Sequence, residues 1–178
     1  DNCHAMGTKI NGDSGYALKY ADFITHSYHP VKSFTTGEGG AILTNNKTID
    51  KKIKILRNHG IVDREKSQKI KPWLYKMEYL GFNYRMSDIN AALGSSQLKK
   101  IDKFVKKRNV IAKFYDEKFS KIKYFQIPHK DKNIDSSYHL YNLKINFKKL
   151  KKSKKKFFLY LKKNLINVQV HYIPIYRQ

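Results

Sequence analysis

Cysteine is nearly absent: a single Cys3 in 178 residues excludes an internal disulfide framework. It reads as a small buried side chain in a reducing compartment. Long apolar runs are missing too. Nothing approaches the ~18 consecutive apolar residues of a spanning helix, so none is expected. Residues 1–12 carry neither a basic n-region nor an apolar core, so no secretory signal is read there. Acidic residues are scarce, 14 against 37 basic ones, leaving a net charge of +23. That imbalance ordinarily points to nucleic acid. Arginine is scarce as well, limited to Arg57, Arg64, Arg85, Arg108 and Arg177. Arginine is the better fork for phosphates and base edges, whereas lysine rising together with asparagine and isoleucine is what the codons of an AT-rich genome give. The charge is therefore read first as composition, with a basic nucleic-acid-binding module kept as the rival of another class; no nucleic-acid partner and no membrane partner is expected. His29, His59, His139 and His171 are too scattered for a local metal motif, so no metal site is expected.

What is present is enough apolar material for a globular core: 40% apolar residues, 13% of all residues aromatic. The polar opening without an initiator methionine reads as the interior of a longer chain. "NGDSG" at 11–15 is turn chemistry. Residues 21–27 alternate as a half-buried strand does, and "GGAILT" at 39–44 reads as a strand covered on both faces. Ile49, Ile53 and Leu56 fall at helical spacing over 48–58, closed by His59 and Gly60. Residues 61–79 read as irregular and hold the only tryptophan, Trp73. Ser87 or Asp88 caps a helix bearing Ile89, Ala92 and Leu93. A longer helix follows, with Ile101, Phe104, Val105, Ile111 and Tyr115 on its apolar stripe. Beyond about residue 124 the texture changes to strand (136–146), basic amphipathic helix (149–166) and strand (167–176). In that helix Phe157, Phe158, Leu161 and Leu165 are read as core, with contact of the Lys148–Lys163 cluster to a membrane or an acidic partner as the alternative.

Three places could carry chemistry. Lys32 follows a strand and stands next to Pro30, which fixes the backbone, so its amine is held on a stiff turn. Lysine acts as a nucleophile toward carbonyls, pyridoxal phosphate included. Ser27 could offer a hydroxyl to a phosphate, and Gly37, Gly39 and Gly40 permit close approach, although a bare turn and a solvated lysine remain open. Asp1 could serve a pyridine nitrogen and His4 a phenolic oxygen, or both could be structural. Asn83, Tyr84 and Arg85 precede a helix start, where an anion site or a plain helix-pinning loop would be built alike.

"DNCHAMG", "SYHPVKSFTTGEGGAILTNN", "LRNHGI", "LGFNYRMSDINAALGSSQL", "SSYHLY" and "VHYIPIY" recur in an order that resembles the DegT-type sugar-nucleotide aminotransferases, fold-type I pyridoxal-phosphate enzymes. "WLYKMEYLGFNYRMSDINAALG" and "VHYIPIY" are most similar to the branch acting in pseudaminic acid biosynthesis. The resemblance implies an α/β chain truncated at both ends. Residues 1–122 would form the C-terminal part of a three-layer αβα large domain with its connecting helix, and 123–178 an incomplete small α+β domain. It implies that Lys32 is the Schiff-base lysine, Asp1 the partner of the pyridine nitrogen, His4 a neighbour of the phenolic oxygen and Ser27 a phosphate ligand. Asn83 would reach the phosphate in the partner subunit's site, which makes a homodimer with composite active sites. Tyr84, His171 and Tyr172 would line the sugar-nucleotide pocket. The implied reaction is cytoplasmic transfer of an amino group from L-glutamate to C4 of a UDP-linked 4-keto-6-deoxy-HexNAc sugar. Another nucleotide-linked keto sugar is the alternative. Relatives that dehydrate the sugar replace the lysine with histidine, so Lys32 argues against that chemistry. "KINGDSGYALKYA" at 9–21 is longer than the family pattern and is expected to enlarge a surface turn.

Overall fold

The computed structural model describes residues 1–62, 71 and 73–178. In chain order the elements are β1 (Lys9–Ile10), β2 (Ile24–Ser27), β3 (Gly40–Leu43), α1 (Lys47–Leu56), α2 (Asp88–Leu98) and α3 (Ile101–Phe119). After them come β4 (Phe125–Gln126), β5 (Ile134–Asp135), β6 (Lys144–Ile145), α4 (Phe147–Leu150) and α5 (Lys154–Lys163). Short 3-10 turns occupy Tyr16–Lys19 and Ile175–Arg177. The chain divides into two compact units, one of Asp1–Lys113 with Lys130–Tyr141, the other of Phe114–His129 with Asn142–Gln178.

In the first unit, β2 and β3 pair antiparallel with Ile24 opposite Leu43 and Ser27 opposite Gly40. Ile24 and His26 face inward, Thr25 and Ser27 less so, which is the two-residue period of a strand with one face covered. The Asn11–Gly12 turn, expected from its sequence, takes positive φ at both residues, and a 3-10 turn follows at Tyr16–Lys19. The strand read as covered on both faces is not: Ile42 is 46% and Leu43 39% exposed, because β3 has β2 as its only strand neighbour among the described residues.

Helix ends follow their local chemistry. Asn46 caps α1 by accepting from the Thr48 and Ile49 N–H groups, and Gly60, at φ +70°, closes its far end by donating to the Ile55 carbonyl. Ser87 caps α2, as expected, through the Asn90 N–H. Ile89 and Leu93 nevertheless lie on the exposed side of α2, and Gly94 is its buried residue. On α3 the stripe holds at Ile101, Phe104 and Val105 and then runs through Arg108, Ala112 and Asp116. Ile111 and Tyr115 are exposed instead: the inward positions fall on a small and a charged residue, which the apolar pattern hid.

Only Lys144–Ile145 of the strand expected at 136–146 joins a ladder. The backbone around 136–139 is satisfied by side chains instead. Arg108 donates to the Tyr138 and His139 carbonyls at 3.1 and 3.2 Å, Asn109 to the Ser136 carbonyl, and the Ser137 N–H to Thr8 Oγ1. Ser137, 1% exposed, also accepts from Thr8 Oγ1 and donates to the His4 carbonyl, which ties this segment to residues 4–8.

In the second unit, aromatic rings build the packing: Tyr115 on Phe119 at 5.3 Å, Phe119 edge-on to Phe125 at 5.6 Å, and Phe147 edge-on to Phe157 at 6.0 Å. The single basic helix expected over 149–166 is broken in two. Lys151 turns left-handed at φ +53° and Ser153 caps a new helix through the Lys156 N–H. Phe157 and Leu161 point inward, whereas Phe158 is 36% and Leu165 90% exposed. The strand expected at 167–176 joins no ladder and ends in the 3-10 turn at Ile175–Arg177, its Val170 and Ile173 exposed, since alternation alone supplies no neighbour to pair with. The irregular stretch expected over 61–79 falls partly on 63–70 and 72, outside the described residues. Ile61 bridges Met77, and Trp73 is exposed.

Candidate functional site

The loop from Tyr28 to Gly39 carries Lys32 and is closed on itself. The Tyr28 N–H donates to the Gly39 carbonyl at 2.9 Å, while the Tyr28 carbonyl accepts both the Thr36 N–H and the Thr35 hydroxyl. Within it the Lys32 N–H donates to the His29 carbonyl at 3.0 Å, and the Val31 N–H to His29 Nδ1. Phe34 and Ser33 are buried beside Lys32, and the Phe34 ring lies 4.7 Å from that of Tyr28. Lys32 itself is half-buried. A stiff, part-covered turn is therefore what the lysine has, as its proline neighbour predicts.

The base of the loop rests on α2. The Asn90 side-chain amide donates to the Thr36 carbonyl, and the Ser87 hydroxyl to Asn90 Oδ1, which fixes the amide's orientation. Thr36 is 2% exposed. A Cβ built on Gly94 would stand 2.6 Å from Thr36 Cγ2, so only glycine lets the helix come this close. Gly39, at φ +154°, would likewise drive a Cβ to within 2.8 Å of Met86 Cε.

The first residues lie beside β2. The Asn2 N–H donates to the Thr25 carbonyl at 3.0 Å, and Tyr16 Oη donates to Asn2 Oδ1. Asp1 is exposed, with Oδ1 accepting the Cys3 N–H at 2.9 Å. Cys3 is half-buried, its Sγ 3.7 Å from the Thr25 carbonyl. The His4 ring packs against that of His139 with centroids 4.4 Å apart. Asp1 and His4 thus stand on the segment adjoining the strand that ends at Ser27, whose hydroxyl accepts the His29 N–H at 3.5 Å. Asp1, His4, Ser27 and Lys32 belong to one unit and to neighbouring segments of it.

Asn83 and Tyr84 sit elsewhere in the same unit. Residues 82–84 run along the end of α1, with Asn83 bridging Asn58 and the Tyr84 N–H donating to the Arg57 carbonyl. Arg85 donates to Asn58 Oδ1 at 2.6 Å. Both Asn83 and Tyr84 are exposed. His171 and Tyr172 are exposed residues of the second unit, their rings 4.2 Å apart.

Sequence reasoning missed His26, Asn90, Gly94 and His139. His26 is 8% exposed, and burial pushes its imidazole below the ordinary value of 6.5. Its Nε2 lies 3.5 Å from Asn2 Nδ2, and its Nδ1 has no hydrogen-bond partner among the described residues. Burial also raises the Tyr28 phenol. The one local signal was Asn90, placed three residues after the Ser87 cap.

A profile of the DegT/DnrJ/EryC1/StrS aminotransferase family matches residues 1–178. The UDP-4-amino-4,6-dideoxy-N-acetyl-beta-L-altrosamine transaminase of Campylobacter jejuni is 44% identical over 177 residues, covering 99% of this chain and 44% of that protein. Among solved structures, Helicobacter pylori PseC, an aminotransferase involved in the biosynthesis of pseudoaminic acid, superimposes with a TM-score of 0.83 at 32% identity, over 99% of this chain and 45% of that one. A Streptococcus pneumoniae sugar aminotransferase in its PMP-form gives 0.83 at 29% identity, over 98% and 45%. The fold is thus that of part of a fold-type I sugar aminotransferase, and the chain spans less than half the length of these relatives. The chain belongs to the DegT/DnrJ/EryC1/StrS aminotransferase family.

Proposed function

We propose that this chain supplies the lysine-bearing part of a cytoplasmic, pyridoxal-phosphate-dependent aminotransferase. The whole protein moves an amino group from L-glutamate to C4 of a UDP-linked 4-keto-6-deoxy-HexNAc sugar. The observation that carries the reading is Lys32 itself, half-buried on a loop closed by Tyr28 and Gly39 and braced by Asn90, in a chain 44% identical to an altrosamine transaminase. Residues 1–122 then belong to the large cofactor-binding domain and 123–178 to the small one.

The donor set suits the cofactor. Lys32 offers a primary amine for its aldehyde and Ser27 a hydroxyl for its phosphate. Asp1 offers a carboxylate for the ring nitrogen: the Cys3 N–H occupies Oδ1 and so orients the group while Oδ2 stays available. His4 adds an imidazole for the phenolic oxygen. When bound, the protonated ring withdraws electrons and acidifies the adjacent C–H. Asp1 keeps the ring nitrogen protonated. Lys32, as general acid and base, takes a proton from the donor's α-carbon and delivers one to C4 of the sugar. Asn83, exposed and anchored on Asn58, reaches the phosphate of a second copy's site, and Tyr84, His171 and Tyr172 line the sugar-nucleotide pocket of the resulting homodimer.

The test is Lys32→Ala in the full-length protein, assayed with the UDP-linked keto sugar and glutamate. Turnover and the visible absorbance of the bound cofactor are both expected to vanish. A variant that kept both would overturn the assignment.

A further inference from the structure

After Asp135 the chain contains no carboxylate side chain, although fourteen precede that point, while residues 136–178 hold ten lysines and Arg177. Codon bias alone enriches lysine without removing aspartate and glutamate. None of the ion pairs among the described residues uses a lysine from this stretch. Among the described residues this charge is therefore uncompensated, and much of it is carried by α5.

That helix is two-sided in an unusual sense. Phe157 and Leu161 face inward, Phe157 against the Phe147 ring. The opposite side is not simply polar. Leu159 is 52% and Tyr160 63% exposed, and at spacings of three and four residues they are flanked by exposed Lys155, Lys156, Lys162 and Lys163. The sequence alone favours core over a membrane contact for the apolar residues of this region. Leu159 and Tyr160 lie outside that core, and Phe158 is 36% exposed. Covering them with more protein core would bury four ammonium groups beside them, which is prohibitive without partners.

We propose that the outward face of α5, made of Lys155, Lys156, Leu159, Tyr160, Lys162 and Lys163, docks on an anionic phospholipid bilayer. Lysine near an anionic leaflet contributes about 1 kcal/mol each. A leucine and a tyrosine among the lysines supply the shallow apolar insertion and the interfacial ring that such helices use. Nucleic acid fits less well, since α5 has no arginine to fork onto phosphates. No helix of the described residues is long and apolar enough to cross a membrane, so the contact is peripheral.

The experiment is co-sedimentation of the full-length protein with vesicles of phosphatidylcholine alone and of phosphatidylcholine mixed with phosphatidylglycerol. Binding is expected only to the mixed vesicles, and it weakens as salt rises. Two variants, Lys155→Glu with Lys162→Glu, and Leu159→Ser with Tyr160→Ser, are each expected to lower apparent affinity at least about tenfold. Equal binding to both vesicle types, or no binding to either, would overturn the proposal. So would mixed-vesicle binding that ignores the Leu159 and Tyr160 changes and is displaced by duplex DNA, which would mark a generic polyanion surface. The serine pair keeps the charge, so it remains informative if charge reversal disturbs the fold.

Discussion

The Asn90 side-chain amide, in the first turn of α2, donates to the backbone carbonyl of Thr36, fifty-four residues earlier in the loop that carries Lys32. The loop is thus tied at both ends: to β2 and β3 through Tyr28 and Gly39, and to a helix cap through Thr36. A lysine that must meet a carbonyl carbon in a fixed direction gains from such bracing, because a flexible one pays its ordering cost at every encounter.

Replacing Asn90 separates the hydrogen bond from the packing. Asn90→Ala is expected to cost about 1–2 kcal/mol in denaturant unfolding of the full-length protein, the cost of leaving a part-buried carbonyl unpaired. Asn90→Asp should cost more, since a carboxylate oxygen would then face the Thr36 carbonyl. Equal stability of the aspartate variant and the parent would contradict the assigned donor.

Gly94 tests the close approach. Alanine is the better helix former by about 1 kcal/mol, so on propensity alone Gly94→Ala should stabilise α2. Its Cβ would meet Thr36 Cγ2 at 2.6 Å, and Thr36 is 2% exposed with nowhere to retreat. Overpacking of this kind costs about 1–3 kcal/mol, so a net loss is expected. Thr36→Ser removes the offending methyl and keeps the hydroxyl that donates to the Glu38 carbonyl. The double variant should therefore recover most of the loss, a coupling that a double-mutant cycle reads directly.

The parts of this site legible in the sequence were those fixed by local chemistry. Pro30 near Lys32, Ser87 at a helix start and Gly60 at a helix end all act within a few residues, and the structure has the closed turn and the two helix ends that they predict. What escaped depends on partners far along the chain. The alternation at 136–146 is real, but Arg108, Asn109 and Thr8 take the backbone groups that a neighbouring strand would have used. On α3 the inward positions after Arg108 are Ala112 and Asp116, so a search for large apolar residues drifts one place to Ile111 and Tyr115. The break at Lys151–Ser153 was masked by lysines on both sides, although a serine before a run of helix formers is itself a cap signal. For His26 the strand alternation gives the inward face it shares with Ile24, but not how deeply segments far along the chain bury it.

His26 gives the pH dependence its sign. Burial holds the folded imidazole below its ordinary value of 6.5, so the folded state binds the proton less readily than the unfolded chain does. By linkage the stability from this residue is fully present above about pH 6.5 and is lost progressively as pH falls from there through the lowered folded value. The parent should therefore show a denaturation midpoint that drops on acidification across that window. His26→Asn, which cannot take up a proton, should lower stability at neutral pH and flatten the slope there. A variant whose midpoint fell with pH as steeply as the parent's would assign the acid sensitivity to carboxylates, whose ordinary values lie lower.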